Sequence, residues 1–205
     1  MNRPRPFVYV SIDIEADGPI PGAGANSMLS LGAAAFDPTI QGRNRFTPVA
    51  TFEANLQPLP GAITDPKTME WWKTQPEAYA AATLDARPAS TVIPEFIHWL
   101  RHLPDNARPV AACYPVGFDF TFVHWYNTKF GDILGDPFGF SALDIKTLAA
   151  AALKVPYPEA VKRNMPKTWF KGPDGKAPKH THKALDDALG QGILLLNILD
   201  HLAAR

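Results

Sequence analysis

Phe7-Val8-Tyr9-Val10-Ser11-Ile12-Asp13-Ile14, followed by Glu15, is the stretch on which the fold turns. Its β-branched and aromatic residues predict a buried strand. Alternation along a strand sends Tyr9, Ser11, Asp13 and Glu15 to one face and Val10, Ile12 and Ile14 to the other. Two carboxylates closing an otherwise apolar strand are costly unless they are paired or bind a metal. A cation relieves their repulsion, and oxygen donors suit Mg²⁺ or Mn²⁺. The plain alternative is that the strand has ended and both residues are solvated.

Working outward, Asp17-Gly18-Pro19 and Pro21-Gly22-Ala23-Gly24 read as a loop. Met28 to Phe36 reads as a second strand and Phe46 to Leu56 as a third, with spacings that suggest an antiparallel meander. From Asp65 the period changes. Asp65 at an N-cap and Pro66 at the first helical position open a helix through Lys73, and Pro76 begins another. Thr91 to Leu103 is amphipathic, with Val92, Phe96, Trp99 and Leu103 at helical spacing. A fourth strand is expected over Pro109–Tyr114, a helix over Phe118–Phe130, a fifth strand over Ser141–Ile145 and a helix over Lys146–Leu153. The last helix, from about Thr181 to Ala203, should turn Leu185, Leu189, Ile193, Leu196 and Leu199 inward. This order describes an α/β layer architecture with a mixed sheet. No internal repeat or composition break marks a second domain, so residues 1–205 read as one domain.

The 205 residues are 46% hydrophobic and 20% charged, an ordinary globular balance. Proline is abundant, 21 residues, which favours broken elements and long ordered loops over a helix bundle. The formal net charge is +0, which argues against tight, sequence-blind binding of long duplexes. Short or flexible single-stranded ends fit better. Cys113 is the only cysteine, so there is no intrachain disulfide framework, and a reducing cytoplasm is the expected compartment. Phe7 to Ile12 is too short for a signal sequence, and no stretch approaches the length of a membrane span.

Three pieces carry the chemistry. Asp13 and Glu15 are the first. Asp119, in Pro115-Val116-Gly117-Phe118-Asp119-Phe120, follows the fourth strand, and open α/β sheets form sites beyond the carboxyl ends of their strands. Its other reading is a first-turn helix acid favoured by the macrodipole. The third piece is His182-Lys183-Ala184-Leu185-Asp186-Asp187. His182 is a candidate general base, since an imidazole accepts a proton near neutral pH. Positions five apart on an ideal helix lie roughly 140° apart around the axis. His182 therefore belongs in the loop or first turn, and both Asp186 and Asp187 stay in play as the partner acid. Four acids and a histidine can hold two divalent cations with a proton acceptor beside them, the arrangement that catalyses in-line displacement at phosphorus. That reading is a metal-dependent nuclease.

The order Asp13-x-Glu15, Phe118-Asp119, His182-x-Ala184-x-x-Asp187 resembles the DEDD-type 3′–5′ exonucleases of the subgroup with a catalytic histidine, over nearly the whole chain. Ala16-Asp17-Gly18, Ser27-Met28-Leu29-x-Leu31-Gly32-Ala33, Ala142-Leu143-Asp144-Ile145 and the segment from Thr68 to Ala78 carry further likeness. The resemblance implies a ribonuclease-H-like fold, a mixed five-stranded sheet flanked by helices. It favours Asp187 over Asp186. It implies that Asp13, Glu15 and Asp187 hold one divalent cation, Mg²⁺ or Mn²⁺, that Asp13 and Asp119 hold a second, and that His182 activates the attacking water. The implied substrate is the 3′ end of a single-stranded nucleic acid or short oligonucleotide, RNA or DNA, and a homodimer is common in such enzymes. An endonuclease or a non-catalytic nucleic-acid-binding module on the same fold are the rival readings. Trp71, Trp72, Trp99 and Trp125 are candidates for base stacking, though such residues are more often core. Asp144 is read as a helix cap. The stretch 155–180 is read as a long basic loop that closes over substrate; seven Lys or Arg lie between Lys162 and Lys183 inclusive, against one Asp.

Overall fold

The computed structural model describes residues 6–133, 135–178 and 181–204. The basic N-terminal residues Arg3 and Arg5, and positions 179 and 180 of the basic stretch, lie outside these. Five strands, β1 (Phe7–Ala16), β2 (Met28–Phe36), β3 (Ala50–Asn55), β4 (Arg108–Cys113) and β5 (Ala142–Asp144), form one sheet in the order β3-β2-β1-β4-β5. The β1/β2 and β2/β3 pairs are antiparallel, and the β1/β4 and β4/β5 pairs are parallel. The sheet is therefore mixed and five-stranded, as expected. Helices α1 (Pro66–Lys73), α2 (Pro76–Thr83), α3 (Ala89–Arg101), α4 (Val116–Phe130), α5 (Ile145–Leu153) and α6 (Ala184–Ala203) surround it. No helix among the described residues is long and apolar enough to cross a membrane.

The central strand β1 divides as its alternation predicts. Val8, Val10, Ile12 and Ile14 are buried in the larger core with Phe96 and Ile97 of α3 and Phe122 and Tyr126 of α4. Each such fully buried side chain contributes roughly 1.5–3 kcal/mol, which holds β1 in place despite the carboxylates on its other face. Tyr9 packs on that other face into a second core, with Ile145 and Ala149 of α5 and Leu194, Leu195 and Ile198 of α6.

Three expectations need correction. The third strand starts at Ala50 rather than Phe46, because Gly42–Phe46 forms a 3-10 turn and Pro48, with no N–H, cannot extend the antiparallel ladder. The inward stripe assigned to α6 is too narrow. Leu185, Leu189 and Leu199 are only partly buried, whereas Ala188, Leu194, Leu195 and Ile198 are buried, since α6 lies between the sheet, α5 and the segment before it. The basic stretch is not a loose loop over its described part. Its 3-10 turns at Tyr157–Glu159, Lys162–Asn164 and Lys167–Phe170 are anchored by Met165 and Trp169 in the second core. Asn197 of α6 donates to the carbonyl oxygens of Trp169 at 2.9 Å and Lys171 at 3.2 Å.

Two glycines let α6 lie against the sheet. A Cβ on Gly32 of β2 would stand 2.2 Å from the backbone of Ala184 and Leu185, and one on Gly192 would stand 2.1 Å from the Phe36 ring. Gly32 is the cross-strand partner of Asp13. The contact that needs a glycine is thus also the contact that brings the start of α6 over the carboxylates of β1. Gly32→Ala is expected to destabilise the fold by about 1–3 kcal/mol through overpacking against backbone. Urea denaturation checks this, and an unchanged midpoint would contradict the account of the close approach.

Candidate active site

The pairing of β1 with β4 ends at Ser11, so beyond that point β1 has no ladder partner on that side. The N–H of Ile14 is taken instead by the Asp119 carboxylate, at 3.1 Å, from the first turn of α4. Asp119 therefore has the helix-start position expected of it and is brought to the acids of β1 as well. It is a first-turn acid, and it lies beside Asp13 and Glu15 with 3% exposure. Asp144 accepts from the N–H groups of Lys146 and Thr147, capping α5 as expected. It also accepts from the Val116 N–H at 3.2 Å, fixing the start of α4.

From the other side, the start of α6 brings His182 and Asp187. His182 lies in the loop before the helix with φ 54°, a left-handed backbone that few residues other than glycine adopt. Such strain at a side chain aimed into a site is a common mark of function. Thr181 steadies this entry: its hydroxyl donates to Asp186 at 2.8 Å and its N–H to Asp187 at 3.4 Å. Asp187 is buried and Asp186 is only partly so. The ligand atoms of Glu15, His182 and Asp187 all lie within 4.8 Å of one another. Asp187, rather than Asp186, is thus the aspartate that faces the cluster.

Electrostatics agree with the geometry. Burial pushes the Asp13 carboxyl well above its usual range, and the carboxylates of Asp119, Glu15 and Asp187 push it further. Burial, then Asp187 and Asp119, raise Glu15 to about 8. Burial raises Asp119 to about 7 against the lowering effects of the Ile14 N–H and Lys162. Acids that resist ionisation in one another's company are a donor set in need of positive charge. All-oxygen donors with one imidazole fit a hard divalent cation.

Three participants were not singled out from the sequence. Gln191, one helical turn after Asp187, donates from Nε2 to Asp13 and holds that carboxylate from behind. That i, i+4 spacing is a signal that could have found it. Lys162 is the cation whose charge reaches both Asp13 and Asp119. It was visible only as part of a basic stretch. Trp71 was one of four tryptophans weighed together. Trp72 is buried and donates to the Ala16 carbonyl at 3.0 Å, which pins α1 to the end of β1. Its neighbour Trp71 is left 40% exposed, its ring edge-on to His182 at 5.1 Å. Trp99 and Trp125 pack on the core. Glu15, Ala16, Lys67, Thr68, Trp71 and Phe118 together line an open depression beside the cluster.

A family model described as "3'-5' exoribonuclease Rv2179c-like domain" matches residues 8–199. The 3'-5' DNA exonuclease Cap18 of Escherichia coli is 33% identical over 144 residues, which are 69% of this chain and 67% of that protein. Among solved structures, the nuclease domain of 3'hExo, a DEDDh family member, bound to rAMP, aligns with a TM-score of 0.66 at 13% identity, over 95% of this chain and 92% of that one. The zinc-bound E. coli ExoI–ssDNA complex aligns with a TM-score of 0.63 at 16% identity, over 98% of this chain and 42% of that one. At these identities the structural likeness establishes the ribonuclease-H-like fold.

The raised carboxyls carry a pH signature. The native state keeps protons on Glu15, Asp13 and Asp119 at pH values where the unfolded chain has lost them. Their contribution to stability is therefore fully present below about pH 4 and is lost as the pH rises towards about 8. Glu15→Gln, which imitates the protonated acid, is expected to melt higher than wild type in EDTA at pH 8, with the gap closing towards pH 4. Adding Mn²⁺ should raise the wild-type midpoint most at the alkaline end. Thermal melts across that range check this, and a gap that widens towards acid pH would contradict it.

Proposed function

This chain belongs to the family of the 3'-5' exoribonuclease Rv2179c-like domain, an exonuclease of ribonuclease-H-like fold, and from that premise we propose that it releases nucleoside 5′-monophosphates stepwise from the 3′ end of a single-stranded nucleic acid. The observation that carries the reading is the meeting of Glu15, His182 and Asp187 beside Asp13 and Asp119, carboxyl groups that cannot ionise comfortably without a cation. Asp13, Glu15, Asp119 and Asp187 are the residues to hold divalent cations, and two ions, Mg²⁺ or Mn²⁺, suit that number of oxygen donors. Bound there, such ions would supply Lewis-acid stabilisation of the phosphoryl oxygens.

The chain's own groups do the rest. His182, held in a strained turn against Trp71, accepts the proton of the attacking water. The water's oxygen forms the new bond to phosphorus, and the bond to the 3′-oxygen of the preceding nucleotide breaks. Gln191 keeps Asp13 aimed at the site. The depression beneath Trp71 receives the terminal nucleotide, with Trp71 and Phe118 as apolar surfaces and Lys67 as a cation at its rim. A single-stranded end rather than a long duplex is the substrate in keeping with the neutral net charge. The matched family is described as exoribonuclease and the E. coli relative as a DNA exonuclease, so both sugars belong in the test.

With 5′-labelled single-stranded RNA and DNA and Mn²⁺, the wild type should give a ladder that shortens from the 3′ end, and EDTA should stop it. Asp13→Asn should abolish the ladder, and His182→Ala should lower kcat by about 10²–10⁴-fold. Internal cuts would favour an endonuclease. Binding without turnover in either metal would favour a non-catalytic module. Within the same assay, Trp71→Ala should raise KM by about 10-fold while kcat changes less. An unchanged KM would remove Trp71 from the substrate site.

A further inference from the structure

Helix α1 supplies Lys67, Thr68 and Trp71, half of the lining of the depression beside the carboxylates. It is 8 residues long, and a helix that short has little stability of its own in water. Its buried residue Trp72 packs with Ala78 and Ala82 of α2 in a small cluster apart from the two large cores. Where α1 sits relative to the carboxylates therefore depends on a few hydrogen bonds. One is the Trp72 bond to the Ala16 carbonyl, in the second half of the helix. The start of the helix is held by the glycine- and proline-rich loop that follows β1.

That hold runs through Asn26. The Ile63 side chain is 66% exposed, so apolar packing does not fix the segment leading into α1. Its backbone is held instead. The Ile63 N–H donates to the Ala25 carbonyl at 2.7 Å, and the Ile63 carbonyl accepts from Asn26 Nδ2 at 2.7 Å. Two residues on, the N–H of Asp65, the N-cap of α1, donates to the Asp17 carbonyl at 2.8 Å. The other end of the Asn26 amide closes the loop on itself, with Oδ1 accepting from the Ile20 N–H at 3.0 Å. Both partners are backbone groups of fixed sense, so the amide has one orientation and needs a donor and an acceptor together. Gly18 gives it room, since a Cβ there would stand 2.3 Å from Asn26 Cγ. Asn26 is buried, and unpairing one end of a buried amide costs its desolvation as well as the bond.

We propose that Asn26 is a positioning residue for the terminal nucleotide. By joining the loop to Ile63 it fixes the start of α1, and through α1 it holds the Trp71 ring edge-on to His182. Asp13 and Glu15 are carried by the packing of β1 and do not depend on this tie. Its loss weakens substrate capture and leaves cation binding alone. The inference rests on the exonuclease reading above, with Trp71 at the terminal nucleotide.

Asn26→Asp tests this, because it keeps the shape and the acceptor for Ile20 but has no N–H for Ile63. KM for single-stranded oligonucleotides should rise by about 3- to 10-fold, with kcat changing less and Mn²⁺ affinity unchanged. In the Trp71→Ala background the same change should add less than about 2-fold, since both act on one contact. Gly18→Ala, whose methyl displaces the amide, should reproduce the rise in KM. A second readout needs no turnover. Trp71 is the most exposed of the 5 tryptophans, so acrylamide quenching of the metal-free protein should increase in Asn26→Asp and not in the Trp71→Phe background. An unchanged KM or unchanged quenching in folded Asn26→Asp would overturn the assignment. So would effects that multiply in the double variant, or a weakened Mn²⁺ affinity, which would route the tie through the carboxylates. Loss of the folded state in both Asn26→Asp and Gly18→Ala would make Asn26 a residue of the fold at large and overturn it too. A wild type that shortens no oligonucleotide, with the quenching change present, supports the link from Asn26 to Trp71 and fails the exonuclease reading.

Discussion

Asp13, Glu15, Asp119 and Asp187 come from three separate stretches of chain and meet in one place, Asp119 and Asp187 buried and Asp13 partly so. Left to themselves they repel, and burial makes the repulsion worse, as the raised carboxyls of Asp13, Glu15 and Asp119 record. Folding alone does not resolve this conflict. The apolar face of β1 provides the opposing force: Val8, Val10, Ile12 and Ile14 bury into the core and carry Asp13 and Glu15 with them. The candidate site is thus placed by hydrophobic packing on one face of a strand and carries unrelieved charge on the other.

The surrounding structure serves that placement. The β1–β4 ladder ends at Ser11, which frees the Ile14 N–H to fix Asp119. Gly32 lets the start of α6 cross β2 directly opposite Asp13, and that crossing delivers His182 and Asp187. Trp72 ties α1 to the end of β1 and so presents Trp71 to His182. The basic stretch is anchored through Met165 and Trp169, and within it the exposed Lys162 lies over the Tyr114 ring, close enough for its charge to reach Asp13 and Asp119.

Much of this was legible in the sequence, because the signals were strong where the chemistry is. The alternation of β1 and the start of α1 at Asp65-Pro66 are local patterns with local causes, whereas Asp13, Glu15, Asp119, His182 and Asp187 were brought together by the order of their motifs and its resemblance to a family. What escaped depends on contacts between distant parts of the chain. The inward face of α6 could not be read from a stripe of leucines, because a helix packed on several sides has more than one inward face. Gly32 gave a hint, an isolated glycine inside an apolar strand, which often marks a close backbone approach. Nothing local distinguished Trp71 from Trp72; only the packing separates a buried indole from an exposed one. The proline-rich stretch read as a loop because short 3-10 turns have no long period, although Met165 and Trp169 were apolar anchors within it.

The central claim is that the carboxylates stay partly protonated until a divalent cation enters. Calorimetric titration of Mn²⁺ into the metal-free protein at pH 7, repeated in buffers of different ionisation enthalpy, counts the protons released on binding. The account predicts saturable binding with net proton release, shrinking as the pH is raised past about 8, where Glu15 has already ionised. Binding with no proton release at pH 7, or no binding at all, would contradict it.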